Sequence, residues 1–62
     1  MAMMEYVEKI AIPALNEEKT LGYWRSSLAI GWDYDPLKVA KAIEERTNYK
    51  CTPCGGTVYI KL

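Results

Sequence analysis

Alternation of apolar and polar residues, the pattern of a half-buried β-strand, occurs three times along the chain. Residues 6–12 are predicted as the first strand, which ends at Pro13 because proline cannot donate to a sheet ladder. Residues 26–32 are predicted as the second strand, and residues 57–62, with the most regular alternation, as the third. The polar residues 16–19 are predicted as a loop.

Helical spacing of apolar residues appears in residues 36–47, between the second and third strands. Asp35 is a favoured N-cap, and Pro36 is favoured at the first helical position because its missing N–H needs no partner there. The predicted order is therefore strand, strand, helix, strand. It indicates an α+β fold, in which one helix covers a small three-stranded, mainly antiparallel sheet. We expect a single domain that spans residues 1–62.

Composition argues against several classes of function. The chain has 62 residues and no histidine. It therefore lacks the usual general base and the commonest metal ligand, and we expect no enzyme activity, cofactor or metal. Eight Lys+Arg balance eight Asp+Glu, which argues against direct binding to nucleic-acid phosphates. With no signal peptide and no apolar run near about 18 residues, we expect a cytoplasmic protein that does not bind membranes.

The segment from Glu18 to Arg25 is the stretch that most strongly suggests a function. An aliphatic residue, Leu21, precedes an aromatic residue, Trp24, by three positions. At this spacing, one turn of helix would place both side chains on one side, where they suit an apolar pocket. The segment resembles the PCNA-interacting peptide (PIP) box, by which proteins dock on the sliding clamp of DNA replication. In that family a glutamine, an aliphatic residue and two adjacent aromatic residues recur at this spacing.

Two positions depart from the family pattern, since Glu18 replaces the glutamine and Arg25 replaces the second aromatic residue. The resemblance implies that Leu21 and Trp24 fill a pocket beneath the loop that joins the two domains of a clamp subunit. It also places Glu18 near a polar site that normally accepts glutamine. Ionised glutamate can only accept hydrogen bonds, so this contact should be weaker. The implied partner-binding residues are Glu18, Thr20, Leu21, Tyr23, Trp24 and Arg25.

The missing second aromatic residue predicts an interface larger than the box. A buried aromatic anchor contributes ~2 kcal/mol or more, which is roughly thirtyfold in affinity. Other surfaces would have to supply this affinity, and the candidates for a secondary interface are Trp32, Tyr34, Lys38, Lys41 and Glu45. The alternative interpretation is that Leu21, Tyr23 and Trp24 begin the second strand and pack in the core, because tryptophan is usually buried.

In its size, imperfect box and lack of catalytic residues, the chain resembles the small clamp inhibitors of the Thermococcales archaea (Thermococcales inhibitor of PCNA). The resemblance implies a protein that is a monomer when free. Bound to the clamp, it would block the pocket used by polymerase, ligase and nuclease tails and so inhibit clamp-dependent replication. The predicted helix could also displace the clamp's connecting loop and weaken the trimeric ring.

Two cysteines suggest a different kind of function. Cys51 and Cys54, predicted to lie in a tight loop at residues 51–56, resemble one knuckle of a zinc ribbon. A structural zinc needs four ligands, so only a dimer could complete the site. The alternative function is therefore a small zinc- or dimer-dependent nucleic-acid-binding module that stacks bases on Trp24 and Trp32. The pair could also form a local disulfide or stay as free thiols. A redox role is less favoured, because the pair precedes a strand rather than a helix.

Overall fold

The computed structural model describes residues 2–62, which form two helices and one sheet. Helix α1 opens the chain in three consecutive segments, and the later elements follow in the order strand, helix, strand, strand. The elements are α1 (Met3–Tyr6, Val7–Ala11 and Ile12–Thr20), β1 (Arg25–Ala29), α2 (Pro36–Arg46), β2 (Lys50–Cys54) and β3 (Thr57–Lys61). The α+β class and the three-stranded antiparallel sheet are confirmed, although the order of elements differs from the prediction.

Residues 6–12 are helical, so the predicted first strand is wrong. Fully buried side chains recur four residues apart along α1, the spacing of one helix face: Val7, Ala11 and Leu15. Pro13 does not end the helix, because a wider π-turn precedes it, in which the Ile12 N–H donates to the Val7 carbonyl. The predicted loop at residues 16–19 also belongs to α1.

Strand β3 is the central strand and pairs antiparallel with both β1 and β2. Strand β2 corrects the predicted loop at residues 51–56, of which only Gly55 and Gly56 form a turn. Gly55 has φ 61°, which fits the first central position of a type II′ hairpin turn. The second predicted strand is shorter than expected and ends at Ala29.

Both helices pack on one face of the sheet and share a single core. The predicted helix is confirmed, and the Asp35 side chain caps it by accepting a hydrogen bond from the Leu37 N–H at 3.0 Å. Val58 and Ile60 of β3 face this core and are almost fully buried. The opposite face of the sheet is uncovered. Neither helix of residues 2–62 has the length and apolar character needed to cross a membrane.

Candidate interaction surface

Leu21 and Trp24 lie on the surface, each with 66% of its area exposed, and Tyr23 between them is 57% exposed. The alternative interpretation, in which these three residues pack in the core, is therefore wrong. We call these three residues the turn surface. Large apolar side chains that remain exposed next to one another are typical of binding sites rather than of the rest of a protein surface.

The backbone of the turn surface is fixed where α1 ends. The Tyr23 N–H donates to the Glu18 carbonyl and the Gly22 N–H to the Lys19 carbonyl, both at 3.0 Å. These two bonds define a Schellman motif, and Gly22 supplies the positive φ that the motif requires, at 95°. The chain therefore leaves the helix at Gly22. The single helical turn that was predicted to carry Leu21 and Trp24 does not form.

Contacts with distant parts of the chain hold both sides of this turn. The Leu62 N–H donates to the Trp24 carbonyl at 3.0 Å, which ties the turn to the end of β3. The Tyr49 hydroxyl donates to Asn16 Oδ1 at 2.6 Å, and the Lys19 ammonium lies 5.2 Å from the centre of the Tyr49 ring. The last turns of α1 are thus anchored to the loop between α2 and β2.

Arg25 takes a different role from the aromatic residue that it replaces in the box pattern. It is the first residue of β1, and its guanidinium lies 4.3 Å from the centre of the Trp24 ring. A cation–π contact at an exposed site contributes about 0.5–1 kcal/mol. Arg25 therefore partly covers Trp24 in the free protein, and a partner that takes up the indole ring must move Arg25 or bind it as well.

Glu18 is half-buried and does not project freely beside Leu21 and Trp24. Its Oε2 atom is buried and has no hydrogen-bond partner among residues 2–62. The side chain lines an open groove together with Tyr23, Arg25, Ser26, Ser27 and Tyr59. Thr20 is exposed, but its hydroxyl donates to the Asn16 carbonyl of its own helix at 2.9 Å. The two polar positions of the box are thus less available than the two apolar ones.

The structure does not bring Trp32 and Tyr34 to the turn surface. Trp32 is fully exposed but follows β1, near Gly56 and the hairpin turn, whereas Trp24 precedes β1. At about 3.3 Å per residue, the length of β1 and its flanking residues separates the two tryptophans by roughly 20 Å. Tyr34 is half-buried and stacks on Tyr6 with ring centres 5.0 Å apart. The remaining candidates, Lys38, Lys41 and Glu45, are exposed along α2.

Cys51 and Cys54 are free cysteines in β2, so the candidate disulfide is not formed. Residues three apart in a strand have Cα atoms about 10 Å apart, beyond the reach of a disulfide. Cys51 points towards the core and Cys54 towards solvent, so the two thiols do not converge as the ligands of a zinc knuckle do. Burial, with a smaller contribution from Glu44, raises the pKa of the Cys51 thiol to about 11. Residues 2–62 contain no cluster of three Cys, Asp or Glu side chains suited to a metal ion.

Sequence reasoning missed a row of cations on the uncovered face of the sheet. Arg25 of β1 lies directly opposite Lys61 of β3, which lies directly opposite Lys50 of β2. Tyr59, two residues before Lys61 and on the same face, is 53% exposed. The alternation in β3 is visible in the sequence, but the register that aligns the three strands is not.

Comparison of the chain with protein-family models, curated proteins and solved structures finds no match. A proposal about function therefore depends on the two surfaces described above and on the resemblance of residues 18–25 to a clamp-binding box.

Proposed function

We propose that this protein is a sliding-clamp ligand that inhibits clamp-dependent DNA replication. The observation that carries the proposal is the exposure of Leu21 and Trp24, the two positions at which the segment agrees with the apolar part of the box pattern. If these residues lay in the core, they could not contact a partner, and the proposal would have no support.

The geometry of the turn supports binding by a preformed surface. The Schellman motif at Gly22 and the bond between Leu62 and Trp24 restrict the backbone before any partner arrives. A surface that is already ordered loses less conformational entropy on binding than a flexible tail does. This pre-organisation offsets part of the affinity that the segment loses by lacking the second aromatic residue.

The mechanism that follows is competition. Leu21 and Trp24 occupy the apolar pocket on a clamp subunit, and the folded domain behind them prevents polymerase, ligase and nuclease tails from entering. Tyr23 extends the apolar contact, while the Arg25 guanidinium moves with Trp24 or is displaced from it. The candidates for further contacts are the charged residues Lys38, Lys41 and Glu45 of α2, which would push aside the clamp's connecting loop and weaken the trimeric ring. Trp32 is no longer among them, because it lies roughly 20 Å from Trp24.

The decisive experiment is the double variant Leu21→Ala/Trp24→Ala, tested by isothermal titration against a purified archaeal PCNA trimer. We expect the variant to bind at least about thirtyfold more weakly, because it lacks two apolar anchors. Both side chains are largely exposed, so the free energy of unfolding should change by less than about 1 kcal/mol. Circular dichroism and urea denaturation check this. A folded variant with unchanged affinity would refute the proposal.

The chain offers a matched control in Trp32→Ala/Leu37→Ala, which removes the same two residue types from exposed positions elsewhere. Leu37 has the same exposed fraction as Leu21, and Trp32 is fully exposed. We expect this control to bind the clamp within about threefold of the unaltered protein. An equal loss of affinity in both variants would mean that exposed apolar area in general, rather than the turn surface, causes binding.

The two parts of the mechanism have separate tests. In a competition assay, the protein should displace a labelled box peptide from the clamp completely, and partial displacement would contradict a shared pocket. Size-exclusion chromatography of the clamp with excess protein tests the effect on the ring. A shift towards smaller species is expected, whereas an intact, decorated trimer would remove ring weakening and leave competition alone.

A further inference from the structure

The uncovered face of the sheet carries positive charge without matching negative charge. Nine residues of the three strands point outwards, and these include three cations and no carboxylate: Arg25, Ser27, Ala29, Lys50, Thr52, Cys54, Thr57, Tyr59 and Lys61. The zero net charge of the whole chain therefore conceals a strongly one-sided distribution, because the acidic residues lie on the helices and loops.

The three cations are aligned at one end of this face and lack a partner of opposite sign. Like charges directly opposite each other on neighbouring strands destabilise a sheet. The ion pairs within residues 2–62 use Lys9 and Arg46 instead, so nothing on the described chain neutralises Lys50 and Lys61. A ligand with several negative charges would relieve this repulsion.

Aromatic and hydroxyl side chains adjoin the cations. Tyr59 lies at the centre of the face, between Ser27 on one neighbouring strand and Thr52 on the other. Tyr23, from the turn surface, lines the same open groove as Tyr59. A sheet face that presents an exposed tyrosine ring between hydroxyl groups, with a row of cations beside it, suits unpaired bases joined by phosphates.

We infer that the uncovered sheet face is a binding site for single-stranded DNA, with phosphates on Arg25, Lys61 and Lys50 and a base stacked on Tyr59. Glu18 lines the same groove as Tyr23 and Arg25 and would disfavour a phosphate beside it. The phosphates are therefore expected on the side of Arg25 where Lys50 and Lys61 line a second groove with it. An acidic peptide would use the cations but has no planar group for Tyr59. Only the choice of DNA rather than RNA rests on the proposed function, which acts at replicating DNA.

The test is fluorescence anisotropy of a labelled oligothymidylate of about 12 nucleotides, titrated with the protein in the absence of any clamp. Three phosphate contacts on a single strand predict a slope of log affinity against log salt near −2, which is about a twentyfold loss between 50 and 200 mM salt. Lys50→Ala/Lys61→Ala leaves one contact, so the loss over that range should fall to about threefold. Tyr59→Thr, which keeps a residue suited to strands, should weaken binding by roughly 5- to 150-fold.

The matched control is Lys9→Ala/Lys19→Ala, which removes the same charge from α1 and should keep the salt slope near −2. Circular dichroism checks that every variant is folded. The inference is overturned if the oligonucleotide does not bind at 50 mM salt, or if the control loses as much affinity as Lys50→Ala/Lys61→Ala. Equal competition by oligoglutamate would assign the face to acidic peptides, and tighter binding of oligouridylate would assign it to RNA.

Oligonucleotide binding is measured independently of clamp binding, because the assay contains no clamp and the two lysine positions lie outside the turn surface. Leu21→Ala/Trp24→Ala should bind the oligonucleotide as the unaltered protein does, and Lys50→Ala/Lys61→Ala should still bind PCNA. If one proposal fails, the assay for the other still tests it.

Discussion

Replacing Gly22 with alanine should lower the free energy of unfolding and weaken clamp binding together. Gly22 has φ 95° and, in the hairpin turn, Gly55 has φ 61°. A Cβ built at either position has no atom within 4 Å. Steric contact therefore adds nothing, and the cost arises from the backbone conformation alone.

The cost can be worked for Gly22, and it is at least as large at Gly55, because glycine dominates the first central position of a type II′ turn. An L-residue held in the left-handed region loses roughly 1–2 kcal/mol. Alanine also restricts the unfolded chain, which offsets roughly 0.4–1 kcal/mol of that loss. The net decrease in the free energy of unfolding is about 1 kcal/mol for Gly22→Ala and at least about 1 kcal/mol for Gly55→Ala. In a domain of this size, such a decrease lowers Tm by roughly 4–8 °C.

The two variants should differ in clamp binding, which urea denaturation and isothermal titration measure side by side. Gly22 sets the chain direction between Leu21 and Trp24, whereas Gly55 turns the hairpin at the far end of the sheet. Gly22→Ala should therefore reduce clamp affinity, and Gly55→Ala should reduce stability alone. Equal effects of both variants on affinity would refute this account of the turn surface.

A D-alanine at position 22 isolates the cause, since a chain of 62 residues is accessible to chemical synthesis. A D-residue adopts positive φ without strain, and it restricts the unfolded chain as L-alanine does. It should therefore raise the free energy of unfolding by about 0.4–1 kcal/mol. If it destabilises the protein as much as L-alanine does, the positive φ at Gly22 is not the reason for the loss.

Three further variants test particular contacts. Arg25→Tyr restores the second aromatic residue of the box and should raise clamp affinity by up to about thirtyfold in isothermal titration, and no gain would contradict the box-like mode. Tyr49→Phe removes the hydrogen bond to Asn16 and should lower the free energy of unfolding by about 0.5–1 kcal/mol in urea denaturation, without changing clamp affinity. At pH 8, Cys54→Ser should react with iodoacetamide at least about tenfold more slowly than Cys51→Ser, because burial raises the pKa of the Cys51 thiol to about 11 and only thiolate reacts. The rate for Cys51 should keep rising as pH approaches that value, and equal rates at pH 8 would contradict its burial.

The N-terminal helix shows where pattern reasoning fails. Tyr6, Ile10 and Ile12 alternate as in a strand, and Pro13 is an ordinary strand end. The competing pattern is the spacing of four that joins Val7, Ala11 and Leu15. That pattern continues past Pro13. It predicts a helix only if a π-turn before the proline is allowed for, because proline has no N–H to donate to a regular helix. By contrast, α2 carries its own local signals in Asp35 and Pro36, and these predict it correctly.

The turn surface depends on information that a short motif lacks. The spacing of Leu21 and Trp24 is compatible with an exposed box and with the start of a buried strand. Leu21 and Trp24 are exposed because α1 ends at Gly22. The sequence pattern predicts no helix there, so it could not predict this exposure. The core is filled instead by apolar residues of α1, the helix that was predicted as a strand, so Leu21 and Trp24 are not needed in the core.

The cation row shows why net charge is a weak guide to partners in a small sheet protein. Each of Arg25, Lys50 and Lys61 is unexceptional in the sequence, and eight carboxylates balance the chain as a whole. Antiparallel register converts three separate positions into one row, because directly opposite residues in neighbouring strands have Cα atoms about 5 Å apart. At that separation the local potential depends mainly on which residues face the same side, because the acidic residues of the helix layer are farther away than the neighbouring cations. A prediction of partners from sequence would therefore need the strand pairing before it could use charge. The pairing could not be predicted here, because residues 6–12 were assigned to a strand and β2 was assigned to a loop.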